Sequence, residues 1–259
     1  MLIAHLSDLH LSAGPPETAP VRPDVAWIVP LVVADILSLP RLPDVVVVTG
    51  DVADGGSDAD YALVREVLSP LPVPVLVVPG NHDRRRPMRA AFPQGWAHPE
   101  FLLSETVIGR TRFIGLDSQL PGRVEGSLCR ERLDWLEERL ADPTPAVVLL
   151  HHPPFPSGNR DWDATALIEG RGRLEAILRA APGPLRLLCG HVHQCYHTVW
   201  AGRYAAVGGS PAFQYALDFE PEGEPPLTDG PVIYSLHHLH SDGVAVHPRA
   251  VPVPPRPDL

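Results

Sequence analysis

Five short groups of aspartate, asparagine and histidine residues stand along the chain, each within a few residues of an apolar run. They are Asp8-Leu9-His10, Gly50-Asp51, Asn81-His82-Asp83, His151-His152 and Gly190-His191-Val192-His193. Carboxylate, amide and imidazole donors without a thiolate suit Mn, Fe, Co or Zn rather than a closed structural zinc site. One such group alone is often only a turn or a pair of core histidines. Five in order, after successive apolar runs, predict a metal site.

The spacing inside two of these groups suits a shared ion. Asp8 and His10 are two residues apart, so both side chains would face one side of an extended segment. The same geometry would serve His191 and His193. Glycines at positions 50, 80 and 190 would let the backbone turn tightly out of a strand and approach a bound anion closely.

Short apolar strands must position these groups. Brief runs of β-branched residues or leucine are typical of buried strands. The predicted strands are Leu2–Leu6, Val45–Val48, Val73–Val78, Thr111–Leu116, Ala146–Leu150 and Leu185–Cys189. In an open α/β sheet the carboxyl ends of the strands form the ligand crevice, so the polar groups that follow the strands should converge.

Helical patterns lie between several of the strands. The predicted helices are Asp24–Leu39, Asp58–Leu68, Arg130–Leu140 and Arg173–Ala180. Asp58 is the expected cap of the second helix, and Pro30 is expected to kink or divide the first. Strands that alternate with helices indicate right-handed crossovers and an α/β fold in which helices cover the sheets.

The pattern changes after Tyr196, where segments resembling antiparallel strands follow one another. They are Thr198–Val207, Gln214–Phe219, Val232–His240 and Val244–His247. Without an internal repeat or a clear linker, the sequence predicts one domain over residues 1–250, with C-terminal strands at about 212–248. The proline-rich tail, residues 251–259, is predicted to be an extended strap or disordered.

The composition argues against several classes of protein. A net charge of −10 disfavours nucleic-acid binding, which depends on basic side chains that neutralise phosphates. Since there is no apolar run of about 18 residues and no basic leader, neither a membrane span nor a signal peptide is expected. Cys129, Cys189 and Cys195 have no C-x-x-C spacing and are typical of reduced thiols. We therefore expect a cytoplasmic protein.

The five groups, together with the run His151–Asn159, resemble the calcineurin-like metallophosphoesterase superfamily. The resemblance runs from Met1 to about Pro211 and is closest to the bacterial branch of class III cyclic nucleotide phosphodiesterases and the binuclear glycerophosphodiesterase. It implies a four-layer αββα sandwich of two mixed β-sheets flanked by helices. It also implies two divalent metal ions (Mn, Fe, Zn or Co) as cofactors. Relatives in this branch often form dimers or larger homo-oligomers, so self-association is an implied arrangement.

This resemblance assigns roles to the motif residues. The implied metal ligands are Asp8, His10 and His193 at one ion, Asn81, His151 and His191 at the other, and Asp51 between the two. Asp51 would therefore take part in catalysis. His82 matches the family's catalytic histidine, which contacts the phosphoryl oxygen or the leaving group of the substrate. His152 would lie behind the ligand His151.

The implied reaction is hydrolysis of small phosphodiesters, such as 3′,5′-cyclic nucleotides or glycerophosphodiesters, by attack of a metal-bound hydroxide on phosphorus. Two ions would bring about +4 and the carboxylates of Asp8 and Asp51 about −2, so the site would attract a phosphate although the chain is acidic. A broad-specificity phosphomonoesterase is an alternative, because the superfamily shares the metal set. A non-catalytic binding scaffold is a further alternative, although such members lose ligand histidines that are all present here.

Four further residues have candidate roles in substrate binding. Arg84 follows the Asn-His-Asp group and could reach a substrate phosphate, although an arginine run is more often a solvated helix start. Asn159 lies in the shared run and could contact substrate. An aromatic pair, Phe213 and Tyr215, could stack on a nucleobase or simply pack.

Other polar residues are expected outside the site. Asp54 is predicted to cap a turn rather than bind a metal. His197 and the group His237, His238 and His240 are predicted to lie on surface strands, and a third metal site there is the alternative.

Overall fold

Two β-sheets lie face to face at the centre of the protein. The computed structural model describes residues 1–18, 20–22, 24–93, 95–220, 226–228, 230–241 and 243–254. The first sheet contains β1 (Leu2–Leu6), β2 (Val45–Val48), β3 (Val75–Val77), β12 (Val232–His240) and β13 (Gly243–Val251). Their spatial order is β13-β12-β1-β2-β3. Strands β1 to β3 are parallel, while β12 pairs antiparallel with β1 and with β13, so the sheet is mixed.

The second sheet is also mixed. It contains β4 (Ser104–Ile108), β5 (Thr111–Gly115), β7 (Ala146–Leu149), β9 (Leu185–Cys189), β10 (Tyr196–Trp200) and β11 (Arg203–Val207), in the order β10-β11-β9-β7-β5-β4. The four central strands are parallel, and the two edge strands are antiparallel to their neighbours. A short pair outside both sheets joins β6 (Gly126–Ser127) to β8 (Leu167–Glu169).

Helices cover both outer faces of this pair of sheets. They are α1 (Val25–Leu37), α2 (Asp58–Leu68), α3 (Arg85–Ala91), α4 (Arg130–Leu140), α5 (Arg160–Thr165) and α6 (Arg171–Ala180). Along β2, alternate side chains point to opposite faces. Val45 and Val47 pack between the sheets, whereas Val46 and Val48 pack against α1 and α2. Helices α4 and α6 pack on the outer face of the second sheet. The predicted four-layer αββα sandwich is confirmed.

Two helix predictions need correction. Ser57, not Asp58, caps α2, because its side chain accepts a hydrogen bond from the amide of Asp60 while the Asp60 carboxylate accepts one from the amide of Ser57. Pro30 does not divide α1, which continues past it to Leu37 with Pro30 on the exposed face.

Most strand predictions hold with changes at the ends, but two are wrong. Thr198–Val207 is a hairpin rather than one strand, because Ala201 and Gly202 both take positive φ and reverse the chain between β10 and β11. Gln214–Phe219 is not a strand: it forms only one bridge, from Tyr215 to Leu227. Instead of the regular hydrogen bonds of a strand pair, this segment makes polar contacts with the loops around it.

After β12 the chain forms one more strand, which is longer than the predicted Val244–His247. Strand β13 extends to Val251, and residues 252–254 continue without regular structure. The rest of the predicted tail, 255–259, lies outside the described residues. Within the described ranges, none of the helices combines the length and the apolar character needed to cross a bilayer.

Candidate metal centre and active-site cleft

The loops that leave the strand ends bring all seven predicted ligands to one rim of the sandwich. Loops after β1, β2 and β3 supply Asp8, His10, Asp51 and Asn81, and loops after β7 and β9 supply His151, His191 and His193. Each sheet therefore contributes part of the site. The convergence expected at the carboxyl ends of the strands is present, and it depends on how the two sheets face each other.

One cluster consists of Asp8, His10 and His193, whose ligand atoms lie within 4.8 Å of one another. The Nε2 atoms of His10 and His193 are 3.3 Å apart, and Asp8 Oδ1 is 3.3 Å from His193 Nε2. All three side chains are buried. This is the set of residues expected to share one ion.

A second cluster surrounds the amide oxygen of Asn81. That oxygen lies 3.1 Å from His151 Nε2 and 3.1 Å from His191 Nδ1. Asp51 lies between the two clusters: its Oδ2 is 3.3 Å from His151 Nε2 and 3.7 Å from His10 Nε2. The carboxylate of Asp51 is thus placed to contact ions in both clusters.

The outer ring nitrogens of the ligand histidines are held by fixed partners. His10 Nδ1 is 3.1 Å from Asp54 Oδ1, and His193 Nδ1 is 3.1 Å from the carbonyl oxygen of Phe213. His151 Nδ1 is 2.7 Å from the carbonyl oxygen of Thr49. Because carboxylate and carbonyl oxygens only accept, each Nδ1 must donate. In a neutral ring, the Nε2 that faces the centre is then unprotonated.

The donor set fits divalent cations. Two bare Nε2 lone pairs, on His10 and His193, face each other at 3.3 Å beside the carboxylate of Asp8, and acceptors cannot satisfy one another. In the second cluster a cation would take the place of the proton that His151 Nε2 shares with Asn81 Oδ1 and Asp51 Oδ2, at 3.1 and 3.3 Å. A cation in each cluster would satisfy these atoms, and mixed oxygen and imidazole donors suit first-row metals.

The side chains of the site alter one another's ionisation. Burial opposes charge on Asp8, but the neighbouring His193 outweighs it and lowers the pKa of Asp8 to about 2. Burial likewise opposes charge on Asp51, and His151 holds its pKa well below the usual range. For His151, burial lowers the pKa, but the carboxylate of Asp51 outweighs burial and raises the pKa of His151 to about 9. A metal that binds His151 must therefore displace a proton, so metal binding should weaken at lower pH.

The backbone of the ligand loops is left-handed where an extended one was expected. Among described residues, six non-glycine positions have positive φ, and five of them are ligands: Asp8, His10, Asp51, His191 and His193. The strands end before these positions, so the prediction that Asp8 and His10 share one side of an extended segment is wrong. Their convergence comes from local left-handed turns, a conformation that clusters at functional sites.

Two glycines are required by space beside the ligands. A Cβ on Gly50, where φ is +95°, would overlap the ring of His151, and a Cβ on Gly80 would overlap the carboxylate of Asp51. Close approach of the backbone to ligand side chains, rather than to an anion alone, therefore explains these glycines.

His82 stands beside the two clusters, facing the cleft. Its Nδ1 is 3.2 Å from the carbonyl oxygen of Asp54 and 3.3 Å from Thr18 Oγ1, and its backbone amide donates to Asp51 Oδ1 at 2.8 Å. The side chain is 25% exposed. Because Nδ1 is held as a donor by the carbonyl of Asp54, Nε2 is the nitrogen available to a substrate.

The cleft at the metal clusters has two arms that meet at Asn81 and His82. One arm, of about 290 Å³, is lined by the aromatic residues Trp162, Phe213 and Tyr215 as well as by His10, Asp51, His191 and His193. The other, of about 580 Å³, is lined by polar side chains including Glu17, Arg84, Arg85 and Gln119. Groups attached to one phosphorus atom at the centre could therefore extend in two directions.

Comparison with known proteins agrees with this geometry. Residues 1–195 match the family model described as calcineurin-like phosphoesterase. This chain is a calcineurin-like phosphoesterase. It is 33% identical over 252 residues to a probable glycerophosphodiester phosphodiesterase GpdQ of Arcobacter nitrofigilis, covering 95% of this chain and 92% of that one. It is 35% identical over 196 residues to a probable cyclic nucleotide phosphodiesterase of Synechococcus, covering 75% and 74%.

A solved structure shows the same fold. The purple acid phosphatase PPD1 of yellow lupin superposes with a TM-score of 0.71 at 17% identity, covering 97% of this chain and 51% of that one. The predicted superfamily is confirmed. A calcineurin-like phosphoesterase uses divalent metal ions. Among the described residues, the groups of three side chains that could hold an ion are Asp8, His10 and His193; Asp8, Asp51 and His151; His10, Asp51 and His82; and His151, His152 and His191.

Asp54 contributes to the site of this phosphoesterase in a way that the sequence did not reveal. Its Oδ1 holds His10 Nδ1, while its Oδ2 accepts from the backbone amides of Glu17 and Thr18 at 2.6 and 3.1 Å. Its carbonyl oxygen holds His82. Asp54 belongs to none of the groups of described residues that could hold a metal ion, and it ties His10, the candidate catalytic histidine and the loop after β1 together.

The change Asp54→Asn should weaken the ion held by His10 by about tenfold to a hundredfold, the usual effect of losing an outer partner of a ligand histidine. The amide can keep one backbone contact but no longer stabilises the donating His10 ring by charge. Titration calorimetry with Mn²⁺ would measure the change. Asp58→Asn on the exposed start of α2 is the control, and equal affinity in both variants would show that Asp54 does not orient His10.

Two other polar residues near the site have structural roles. His152 has both ring nitrogens engaged, with Ser118 Oγ at 2.8 Å and the carbonyl oxygen of Val124 at 2.9 Å, so it lies behind His151 as expected. Asp83 is buried and accepts from Tyr61 and from the amide of Gly80. Burial, reinforced by Asp51, raises the pKa of Asp83 to about 7. These hydrogen bonds of Asp83 hold the loop that carries Asn81.

The structure contradicts the prediction that Asn159 contacts substrate. Its amide oxygen caps α5 by accepting from the amides of Asp161 and Trp162, and its amide nitrogen donates to the carbonyl oxygen of Asp218 at 2.8 Å. The residue is fully buried. Its amide therefore caps α5 and joins two loops of the cleft wall.

The arginine run divides between surface and structure. Arg84 is exposed on the polar arm, whereas Arg85 forms a bidentate pair with Asp117. In the aromatic arm, the ring of Phe213 stacks on His193 with centroids 3.8 Å apart, so packing against a ligand is its first role.

The other histidines are not all on the surface. His197, His238 and His240 are exposed as predicted, but His237 is buried at 1% exposure, because its side chain points between the sheets. Among the described residues, no group of three metal-binding side chains includes any of these four.

Proposed function

We propose that this chain hydrolyses small phosphodiesters at a pair of divalent metal ions, with 3′,5′-cyclic nucleotides and glycerophosphodiesters as the substrate class. The observation that carries the proposal is the position of Asp51 between two ligand clusters, with His82 at the junction of the two arms. Relatives named for these two kinds of diester cover most of the chain and support the same class.

Seven side chains would hold the ions. Asp8, His10 and His193 would hold one, Asn81, His151 and His191 the other, and Asp51 both. When bound, the two ions supply Lewis-acid activation of water and neutralisation of the phosphoryl charge. With only two carboxylates against about +4 of metal charge, the centre stays near +2 and attracts an anion in an acidic protein.

The residues of the chain that act on the substrate lie around His82. Its Nε2 would face a phosphoryl oxygen or the leaving oxygen of the substrate and, when both ring nitrogens are protonated, donate a proton there. Arg84, exposed on the polar arm, could approach the ester substituent in that arm, and we propose it as a weaker substrate contact.

The two arms of the cleft favour diesters over monoesters. An acyclic phosphodiester such as a glycerophosphodiester carries two separate organic substituents, and the aromatic and polar arms each have room for one of them. A monoester would leave one arm filled with water and would present an extra negative charge. The chemistry of the arms also fits a substrate whose two substituents differ.

The identity of the metal and the cellular setting complete the proposal. The oxygen and imidazole donors suit Mn, Fe, Co or Zn. Cys129, Cys189 and Cys195 are free thiols, the state that a reducing cytoplasm maintains, and we propose that the enzyme acts there.

Turnover of a diester and a monoester by the Mn-loaded enzyme tests the proposal. We expect kcat/KM for bis(p-nitrophenyl) phosphate to exceed that for p-nitrophenyl phosphate by at least about tenfold, a difference of about 1.4 kcal/mol in transition-state binding. Cyclic AMP and glycerophosphoethanolamine would then rank the natural classes. A preparation of Asp51→Asn made in parallel reports any contaminating phosphatase.

The outcomes separate the alternatives. Preference for the monoester would make the chain a phosphomonoesterase. Two bound ions with no turnover of any of these esters would indicate a binding scaffold instead.

A further inference from the structure

A chain of buried polar side chains crosses the interface between the two sheets, beside the metal centre. The rest of that interface is largely apolar, with Ile3, Val47 and Leu149 among its residues. His5 in β1 and His237 in β12 are nevertheless buried there, at 0% and 1% exposure. Neither is a metal ligand, so the mechanism proposed above does not use them.

Four hydrogen bonds connect these residues in series. Tyr204 Oη is 3.4 Å from His237 Nδ1, and His237 Nε2 is 3.3 Å from His5 Nδ1. His5 Nε2 is 2.9 Å from Thr49 Oγ1, which is 2.9 Å from the carbonyl oxygen of Cys189. We call Tyr204, His237, His5 and Thr49 the inter-sheet chain.

Only one direction of donation satisfies every member. The carbonyl of Cys189 can only accept, so the Thr49 hydroxyl donates to it and must accept from His5 Nε2–H. A neutral His5 then accepts at Nδ1 from His237 Nε2–H, and His237 accepts at Nδ1 from the Tyr204 hydroxyl. Burial lowers the pKa of His5 to about 4 and that of His237 as well, which keeps both rings neutral as this pattern requires.

The inner end of the chain reaches the loops that carry ligands. Thr49 stands two residues before Asp51, and Cys189 two residues before His191. The carbonyl of Thr49 also holds the ligand His151 at 2.7 Å. His5 lies in the first sheet and Thr49 directly follows its strand β2, whereas Cys189 and Tyr204 lie in the second sheet and His151 follows its strand β7. The chain therefore joins the two sheets where each delivers ligands.

We propose that the inter-sheet chain sets the register of one sheet against the other and thereby positions Asp51 and His151 for the same metal ion. Aliphatic packing between sheets is non-directional and permits small shifts, whereas the chain specifies one alignment through fixed donors and acceptors. His5 and His237 are positioning residues in this scheme, because they touch neither substrate nor metal. Since the inference rests on the proposed metal centre, its test must report on metal binding as well as on turnover.

The variant His237→Phe keeps a ring in the interface and removes both hydrogen bonds. We expect its second Mn²⁺ ion to bind about tenfold to a hundredfold more weakly than in the wild type, by calorimetric titration. At saturating Mn²⁺ the exchange-coupled electron paramagnetic resonance signal of the ion pair should change, because the distance between the ions changes. His238→Phe, one residue along β12 and exposed, is the matched control and should leave both readouts unaltered.

A conservative variant and a milder one complete the test. His5→Gln can still donate to Thr49 through its amide and should recover most of the affinity that His5→Phe loses. Tyr204→Phe removes only the outer hydroxyl, and a loss of a few-fold in affinity for the second ion is expected. If His237→Phe does not fold, the affinity of Tyr204→Phe for the second ion tests the inference instead.

The outcomes distinguish this inference from the function on which it rests. A wild-type protein that binds no pair of ions overturns the proposed centre and the inference with it. A wild-type pair together with unchanged affinity and unchanged resonance in His237→Phe, or in Tyr204→Phe where His237→Phe is unfolded, overturns the inference alone.

Discussion

Replacement of Asp51 by asparagine is expected to lose one metal ion and to reduce turnover by at least about 10³-fold, because both charge neutralisation and water activation depend on the ion pair. The carboxylate oxygen Oδ2 lies between His151 Nε2 and His10 Nε2, at 3.3 and 3.7 Å. An amide nitrogen at that position donates and cannot bind a cation. The bridge is therefore lost while the size of the side chain is kept.

The same substitution should leave the fold intact. The other oxygen, Oδ1, accepts from the backbone amide of His82 at 2.8 Å, and the amide oxygen of asparagine can take over that contact. The measurements are metal content by mass spectrometry after Mn loading, kcat/KM for the diester, and the thermal unfolding midpoint. Asp134→Asn, on the exposed face of α4, controls for loss of a carboxylate. Two ions per chain with turnover near that of the wild type would show that Asp51 does not bridge.

Much of the fold follows from local pattern. Strand β2 is four consecutive valines, which pack on both faces, and such a run indicates a buried parallel strand whatever lies around it. The order of polar groups after such strands predicted a metal site, because parallel strands end at a common rim, and the resemblance to the superfamily assigned the individual ligands. The residue types then limited the metal.

The backbone at the ligands could not be predicted in the same way. Asp8 and His10 take φ of 53° and 44°, a conformation that neither residue prefers. It is imposed by contacts with the neighbouring loop, such as the amide of His10 donating to the carbonyl of Asp51. Contacts between residues far apart in sequence decide it, and periodicity carries no information about them.

Two neighbouring histidines in one strand show a related limit of prediction from sequence. His237 and His238 are neighbours in β12, so one must face the interior and the other must not. The sequence does not say which, since the strand carries apolar and polar residues on both sides. Asn159 was similarly ambiguous: the same amide can contact a ligand or cap a helix, and its partners in α5 and at Asp218 appear only in three dimensions.

The change His82→Ala is expected to leave both ions bound and to slow turnover by about 10² to 10⁴-fold, the usual contribution of a positioned general acid. His82 is not part of either ligand cluster as assigned, and its Nδ1 is occupied by Asp54 and Thr18, so the loss should fall on the substrate side. Metal content and kcat measured on one preparation would show this separation. Arg86→Ala, at an exposed position just beyond the same loop, is the control for disturbance of the loop.

Substrates with different leaving groups distinguish two roles of His82 in the reaction. If His82 protonates the departing alkoxide, its loss should matter little for p-nitrophenyl esters, whose leaving group needs no proton, and far more for cyclic AMP or glycerophosphoethanolamine. If His82 instead stabilises the phosphoryl oxygens, the loss should be similar for all of them, since that charge develops whatever group departs. Turnover equal to that of the wild type on every substrate would remove His82 from the reaction. Its position at the junction of the two arms, with Nε2 free and Nδ1 held, favours the first outcome.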